Sequence, residues 1–220
     1  MDGNCRESVK LNRLKKVFAF GCFLFTLMLH QPPVKAQNWD IEVVKALNPQ
    51  DPKSGFVRAV SSSVYVIGIG APAGVLAAGL IKHDSVLKRQ SFEMFAAGLL
   101  SLAINGSLKN IINRPRPAET YPQDVFPYKN TTGQSFPSGH TSMAFVTATS
   151  LSLQFREWYV IVPAYLWATA VGYSRMYLGV HYPSDVIAGA AVGAGSAFLA
   201  HWLNRKIFHK SKASKRKPSA

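Results

Sequence analysis

The chain has 220 residues, enough for one domain with a full core. Hydrophobic residues make up 48% and charged ones only 16%, well under the roughly 25% usual for soluble domains. The net charge of +14 is gathered at the two ends and in short junctions, with no aromatic residues interleaving a central basic face; this argues against nucleic acid and for membrane-orientation signals.

Residues 1–36 read as a signal peptide or N-terminal anchor: a basic stretch ends at Lys16, and Val17 to Leu29 is an apolar run too short to span comfortably. Val34-Lys35-Ala36 offers small residues at a cleavage spacing. Both cysteines, Cys5 and Cys22, lie inside this segment, so no disulfide or thiol chemistry is expected beyond it. Residues 37–58 form a mixed extracytoplasmic segment in which Trp39, Ile41, Val43, Val44 and Leu47 predict a short amphipathic helix lying on a surface.

Five uncharged or nearly uncharged segments follow, at about 59–81, 91–112, 139–155, 158–174 and 186–204. They predict an all-α, multi-helix transmembrane bundle over residues 59–208, with a kink at Pro72 and close helix approach at Gly189 and Gly193. Residues 209–220 form a basic cytoplasmic tail expected to sit near anionic lipid headgroups, and the chain from Lys206 to Ala220 is expected to be disordered. The positive junction at 82–90 and the tail fall inside; the proline-rich loop 113–137 and the stretch 175–184 then fall outside, on the periplasmic side of a cell membrane. A mean hydropathy of only +0.06 leaves a soluble secreted helical protein as the alternative.

Three clusters on that outer face carry chemistry. Lys109 closes an apolar helix where an unpaired ammonium is costly, and Arg116-Pro117 lies just beyond. On their own these two also fit snorkelling at the interface, and Arg114 competes with Arg116. Pro137-Ser138-Gly139-His140 opens a helix with Ser138 as N-cap, so that first-turn N–H groups and an imidazole face an anion together. Ser174-Arg175 precedes His181 and Asp185, which Pro183-Ser184 would bring one helical turn apart. A carboxylate on one ring nitrogen fixes the tautomer and makes the other nitrogen more basic. Cations, helix N-termini, two histidines and one carboxylate suit a phosphate and its pentacoordinate transition state. Clustered carboxylates of the kind that hold magnesium or a metal pair are missing, so neither metal nor other cofactor is expected.

Lys-x6-Arg-Pro, Pro-Ser-Gly-His and Ser-Arg-x5-His-x3-Asp, in that order, resemble the three-part signature of the type 2 phosphatidic acid phosphatase superfamily. Its members include membrane lipid phosphatases, soluble bacterial class A acid phosphatases and vanadium haloperoxidases. The matched positions are Lys109, Arg116, Pro117, Pro137 to His140, Ser174, Arg175, His181 and Asp185, about a third of the chain, and their register selects Arg116 over Arg114. The resemblance agrees with His181 as nucleophile oriented by Asp185 and His140 as acid and then base. Lys109, Arg116, Ser138, Gly139 and Arg175 would bind the phosphate. The expected substrate is a lipid phosphate or diphosphate: lipid A phosphate foremost, with undecaprenyl diphosphate and phosphatidylglycerophosphate as further candidates. A class A-type acid phosphatase, a haloperoxidase-like enzyme and a non-catalytic lipid-phosphate binder are the rival readings. Oligomeric state is not legible.

Overall fold

Helix starts and stops follow local signals in the sequence. The computed structural model describes residues 35–129 and 131–214, and within them it is all helix, with no strand. Seven helices occur among the described residues: α1 (Lys35–Leu47), α2 (Gly55–Ile81), α3 (Ser85–Ile112), α4 (Pro117–Thr120), α5 (Gly139–Phe155), α6 (Trp158–Tyr177) and α7 (Pro183–Ser214). Asp84 caps α3 by accepting the Val86 N–H at 2.7 Å. Asn113 ends that helix in the left-handed conformation, at φ 47°, which a short polar side chain tolerates. Pro117 and Pro183 stand at first helical positions, where the missing N–H costs nothing. The chain divides into two compact units, residues 1–39 and 40–220, and all contacts given below lie in the second.

At the centre stands α5, which touches α2, α3, α6 and α7. Its buried face is Thr141, Ser142, Ala144, Val146, Thr147, Ala148, Thr149 and Ser150, small side chains that let neighbours come close. Most of these hydroxyls are bonded: Ser142 donates to the Gly189 carbonyl at 2.9 Å, and Thr149 pairs with the Tyr165 hydroxyl at 3.0 Å. Against this face α7 lies tightly. A Cβ at Gly189 would sit 2.6 Å from the Ser138 carbonyl, and one at Gly193 2.3 Å from that of Ser142.

Three helical stretches are long and apolar enough to cross a membrane: Gly55–Ile81, Ser85–Thr120 and Pro183–Lys206. They are mostly unburied, and exposed Val66, Ile69, Leu99 and Ile187 lie along them. Exposed apolar area on this scale marks a membrane protein. The sequence led to five such segments. Of the other two, α5 has 17 residues and is enclosed by its neighbours, and the Trp and Tyr residues of α6 lower its hydropathy.

Three further expectations change. Instead of lying on a surface, α1 buries Ile41 and Val44 against Val125 and Tyr182, because Asp40, Val44 and Asn48 share one face and all find partners in the protein. The bundle starts at Gly55, not Ala59. At the other end, α7 continues to Ser214 through most of the segment expected to be disordered, since no Pro or Gly interrupts it after Gly195. The targeting segment, apart from its last two residues, and the tail beyond Ser214 lie outside the described residues.

Candidate active site

Alternation of the helices brings the loop between α3 and α5, the turn between α6 and α7, and the start of α2 to one end of the bundle. There they enclose a cavity of about 650 Å³ lined by Lys109, Arg116, Gly139, His140, Arg175 and His181, with Arg58, Ser61, Tyr65 and Tyr128 at its sides. Of the eight sequence-derived site residues, these six line the cavity, while Ser138 and Asp185 are fully buried behind it.

The His181 ring is held from its back. Nδ1 lies 3.4 Å from Asp185 Oδ2 and 3.4 Å from the Ser135 hydroxyl, which leaves Nε2 for the cavity. In turn Asp185, third residue of α7, accepts the Tyr182 N–H at 2.9 Å, half of a reciprocal helix cap, and the Ser135 hydroxyl bonds the same oxygen. Its other oxygen takes the Arg114 guanidinium at 2.9 Å. Gly179, at φ 67°, turns the chain into this loop. A Cβ there would come within 3.0 Å of both Asn48 Nδ2 and the Phe126 carbonyl, so glycine is required twice over.

The cations come from separate elements. Arg116 spans the loop, donating to the Gly133 carbonyl at 3.1 Å and the Val180 carbonyl at 2.9 Å. The Lys109 ammonium donates to the Gln134 carbonyl at 2.5 Å. Arg175, in the last turn of α6, donates to the Ser61 hydroxyl at 2.5 Å, yet its buried Nε has no partner. A buried, always-charged donor left unsatisfied is strained unless an anion completes it. His140 packs edge-on against the Tyr65 ring, centroids 5.1 Å apart.

Ser138 departs from its expected role. Its N–H donates to the Asp185 carbonyl at 3.0 Å, and its hydroxyl accepts from Thr141 instead of capping α5. The N–H groups of Gly139 and His140, which precede the first α5 hydrogen bond, are the donors that the helix start offers the cavity. Ser138 thus ties α5 to α7. Sequence reading also missed the bonds that Arg114 and Ser135 make to Asp185 and the hold that Asp40, from α1, has on Arg114 and on Ser184 beside it. The one available signal was Arg114 beside Arg116.

Burial, and after it the charges of Arg175 and Arg116, lower the His181 imidazole to about 4, against the upward pull of Asp185. Burial and the surrounding Arg175, His181, Arg116 and Lys109 lower His140 to about 3. Both rings are therefore neutral at neutral pH, and an anion placed among these cations would favour the charged form of either ring.

A membrane-embedded helical bundle with this cation-lined, two-histidine cavity belongs to a recognisable class. The PAP2 superfamily model matches residues 91–208, more than half of the chain, and the chain belongs to that superfamily. It is 37% identical over 75 residues to a lipid A 4'-phosphatase of Bacteroides thetaiotaomicron, covering 34% of this chain and 33% of that protein. The alignments to curated relatives span a quarter to just under half of their lengths. Among solved structures, Aquifex aeolicus LpxE is similar at TM-score 0.60 and 28% identity, covering 74% of this chain and 94% of that one. The transmembrane PAP2-type phosphatidylglycerolphosphate phosphatase of Bacillus subtilis is similar at TM-score 0.66 and 26% identity, covering 86% and 96%.

Proposed function

We propose that this protein is a membrane lipid phosphatase, metal-independent, working through a phosphohistidine on His181. The observation that carries it is the cavity itself: two histidines facing it, one backed by a carboxylate, with Lys109, Arg116 and Arg175 among its cationic side chains and an unpaired buried Arg175 Nε. The phosphoryl group would sit among Lys109, Arg116, Arg175 and the Gly139 and His140 N–H groups, which stabilise the spread charge of the transition state. His181 Nε2 attacks phosphorus in line, and the bond to the lipid oxygen breaks as His140 delivers a proton to it. His140 then takes a proton from water, whose oxygen attacks the phosphohistidine and releases inorganic phosphate.

The cavity lies at the end of the bundle opposite the basic 82–90 junction and the C-terminal end of α7, which supports an extracytoplasmic site and a basic tail near anionic headgroups on the inner side. With the site at a membrane face, the substrate is presented by the outer leaflet. Lipid A phosphate is the leading candidate, supported by the likeness to a lipid A 4'-phosphatase; undecaprenyl diphosphate and phosphatidylglycerophosphate share the required chemistry.

The test is a panel of purified lipid phosphates and diphosphates, with released phosphate and remaining lipid followed by mass, with and without a chelator. We expect phosphate from a lipid A-type substrate and no loss with chelator. Release from no member of the panel would refute the reading.

A further inference from the structure

Behind the cavity lies a second charged cluster, in which Asp185 is joined by two residues at no matched motif position, Arg114 and Asp40. The Arg114 guanidinium bridges two buried carboxylates, donating to Asp185 Oδ1 at 2.9 Å and to Asp40 Oδ2 at 2.9 Å. It also donates to the Ser184 hydroxyl at 2.6 Å and lies 3.9 Å from the centroid of the Tyr182 ring. Asp40, on α1, additionally accepts the Ser184 N–H at 3.0 Å and the Ser184 hydroxyl at 2.5 Å. It is 3% exposed and Asp185 is 0% exposed. The far end of the same α1 face is fastened as well: Asn48 donates to the Phe126 and Tyr177 carbonyls and accepts the Phe126 N–H at 2.7 Å.

Burying two carboxylates is unfavourable, and one guanidinium between them is the arrangement that makes it tolerable. Arg114-Pro115-Arg116-Pro117 thereby sends one guanidinium into the cavity and the other to the back of the histidine's carboxylate. We propose that Arg114, anchored by Asp40 of α1, is a positioning residue: it fixes Asp185 Oδ1 and so sets both the orientation and the basicity of His181. The proposal rests on the phosphatase reading for its kinetic arm only.

The expected effects have definite signs. His181 has around it Asp185 of α7, Arg175 of α6, His140 of α5, Lys109 of α3 and Arg116 of the loop, with the Ser135 hydroxyl on Nδ1, and it shares the cavity with Arg58 and Tyr65 of α2 and Tyr128 and Lys129 of the loop. Arg114 acts on it from behind Asp185. Removing that cation leaves the carboxylate's full charge to hold a proton on His181, so the ring titrates at higher pH. Loss of the bridge also lets Asp185 swing, and a misplacement of about 1 Å can lower turnover on the order of a hundred-fold.

The experiment compares full-length wild type, Arg114→Gln, Arg114→Lys and Asp40→Asn in detergent or vesicles. One arm follows the pH dependence of diethyl pyrocarbonate modification of His181, peptide by peptide by mass spectrometry, which needs no turnover. The other measures kcat and KM on a lipid phosphate that wild type hydrolyses. A wild type that hydrolyses none refutes the phosphatase reading, while the modification arm still decides this one. In Arg114→Gln the half-modification pH should rise by about half a unit or more, and kcat should fall on the order of ten-fold or more with KM little changed. Arg114→Lys should keep the wild-type pH position, since it keeps the charge, but recover only part of kcat, since an ammonium lacks the planar fork. A folded Arg114→Gln protein with unmoved His181 titration overturns the proposal, even if activity falls. Should that variant not fold, Asp40→Asn decides: Arg114's whole charge then falls to Asp185, so the His181 titration should move down. No movement there overturns the proposal too.

Discussion

The two histidines of the cavity are both held neutral, and for the same reasons: burial, and after it nearby positive charge. The roles proposed for them nevertheless differ, because only His181 has a carboxylate on its rear nitrogen. The sign of the pH dependence follows. Lowering the pH through about 4 converts His181 to an imidazolium without a lone pair for attack. We therefore expect kcat/KM, corrected for substrate ionisation, to fall on the acid side near 4 and not near the ordinary imidazole value of 6.5, as checked by a pH–rate profile. An acid limb at the ordinary value would mean that burial of this ring is less complete than described.

At the level of elements, the site depends on how closely α7 lies against α5. Gly189 and Gly193 put α7 backbone against the Ser138 and Ser142 carbonyls, and Ser138 is the residue that ties the start of α5 to Asp185. Adding a methyl group at either position should destabilise the fold by about 1–3 kcal/mol through overpacking. Gly189→Ala should also lower turnover, because it presses on the turn that carries His140. Gly195, on the same helix but with nothing within 4 Å of its Cβ position, is the control. Gly195→Ala should be neutral or stabilising by up to about 1 kcal/mol. Thermal unfolding in detergent, with activity measured alongside, separates the three variants.

These elements also show what a sequence reveals of such a site. His181 and Asp185 were legible because a helix start fixes the geometry of residues four apart, and Gly189 with Gly193 because helical spacing puts both on one face. The Lys109, Arg116 and Arg175 positions became legible once their order matched the three-part signature. Asp40 and Arg114 were not, since a bridge across 74 residues obeys no spacing rule. Ser138 fitted the pattern of an N-cap, but its N–H was drawn to the Asp185 carbonyl, a partner that only the packing of α5 on α7 supplies. The face of α1 misled for a similar reason: an amphipathic stripe looks the same whether it meets lipid or protein.

On the scale of the whole molecule, uncharged helices, basic ends and a cation-lined cavity at one end of the bundle describe one object. Apolar residues on the outer faces of three long helices meet lipid, and Lys109, Arg116 and Arg175 are gathered where a phosphate would balance them. That balance is the central claim, and the covalent step at His181 is its sharpest consequence. The most direct measurement is rapid quenching of the purified protein with a lipid phosphate radiolabelled in the scissile group, followed by peptide mapping of base-stable label. The label should reside on His181, and the folded, inserted His181→Ala variant should carry none and release no phosphate. Undiminished phosphate release by His181→Ala, or label on a different residue, would contradict it.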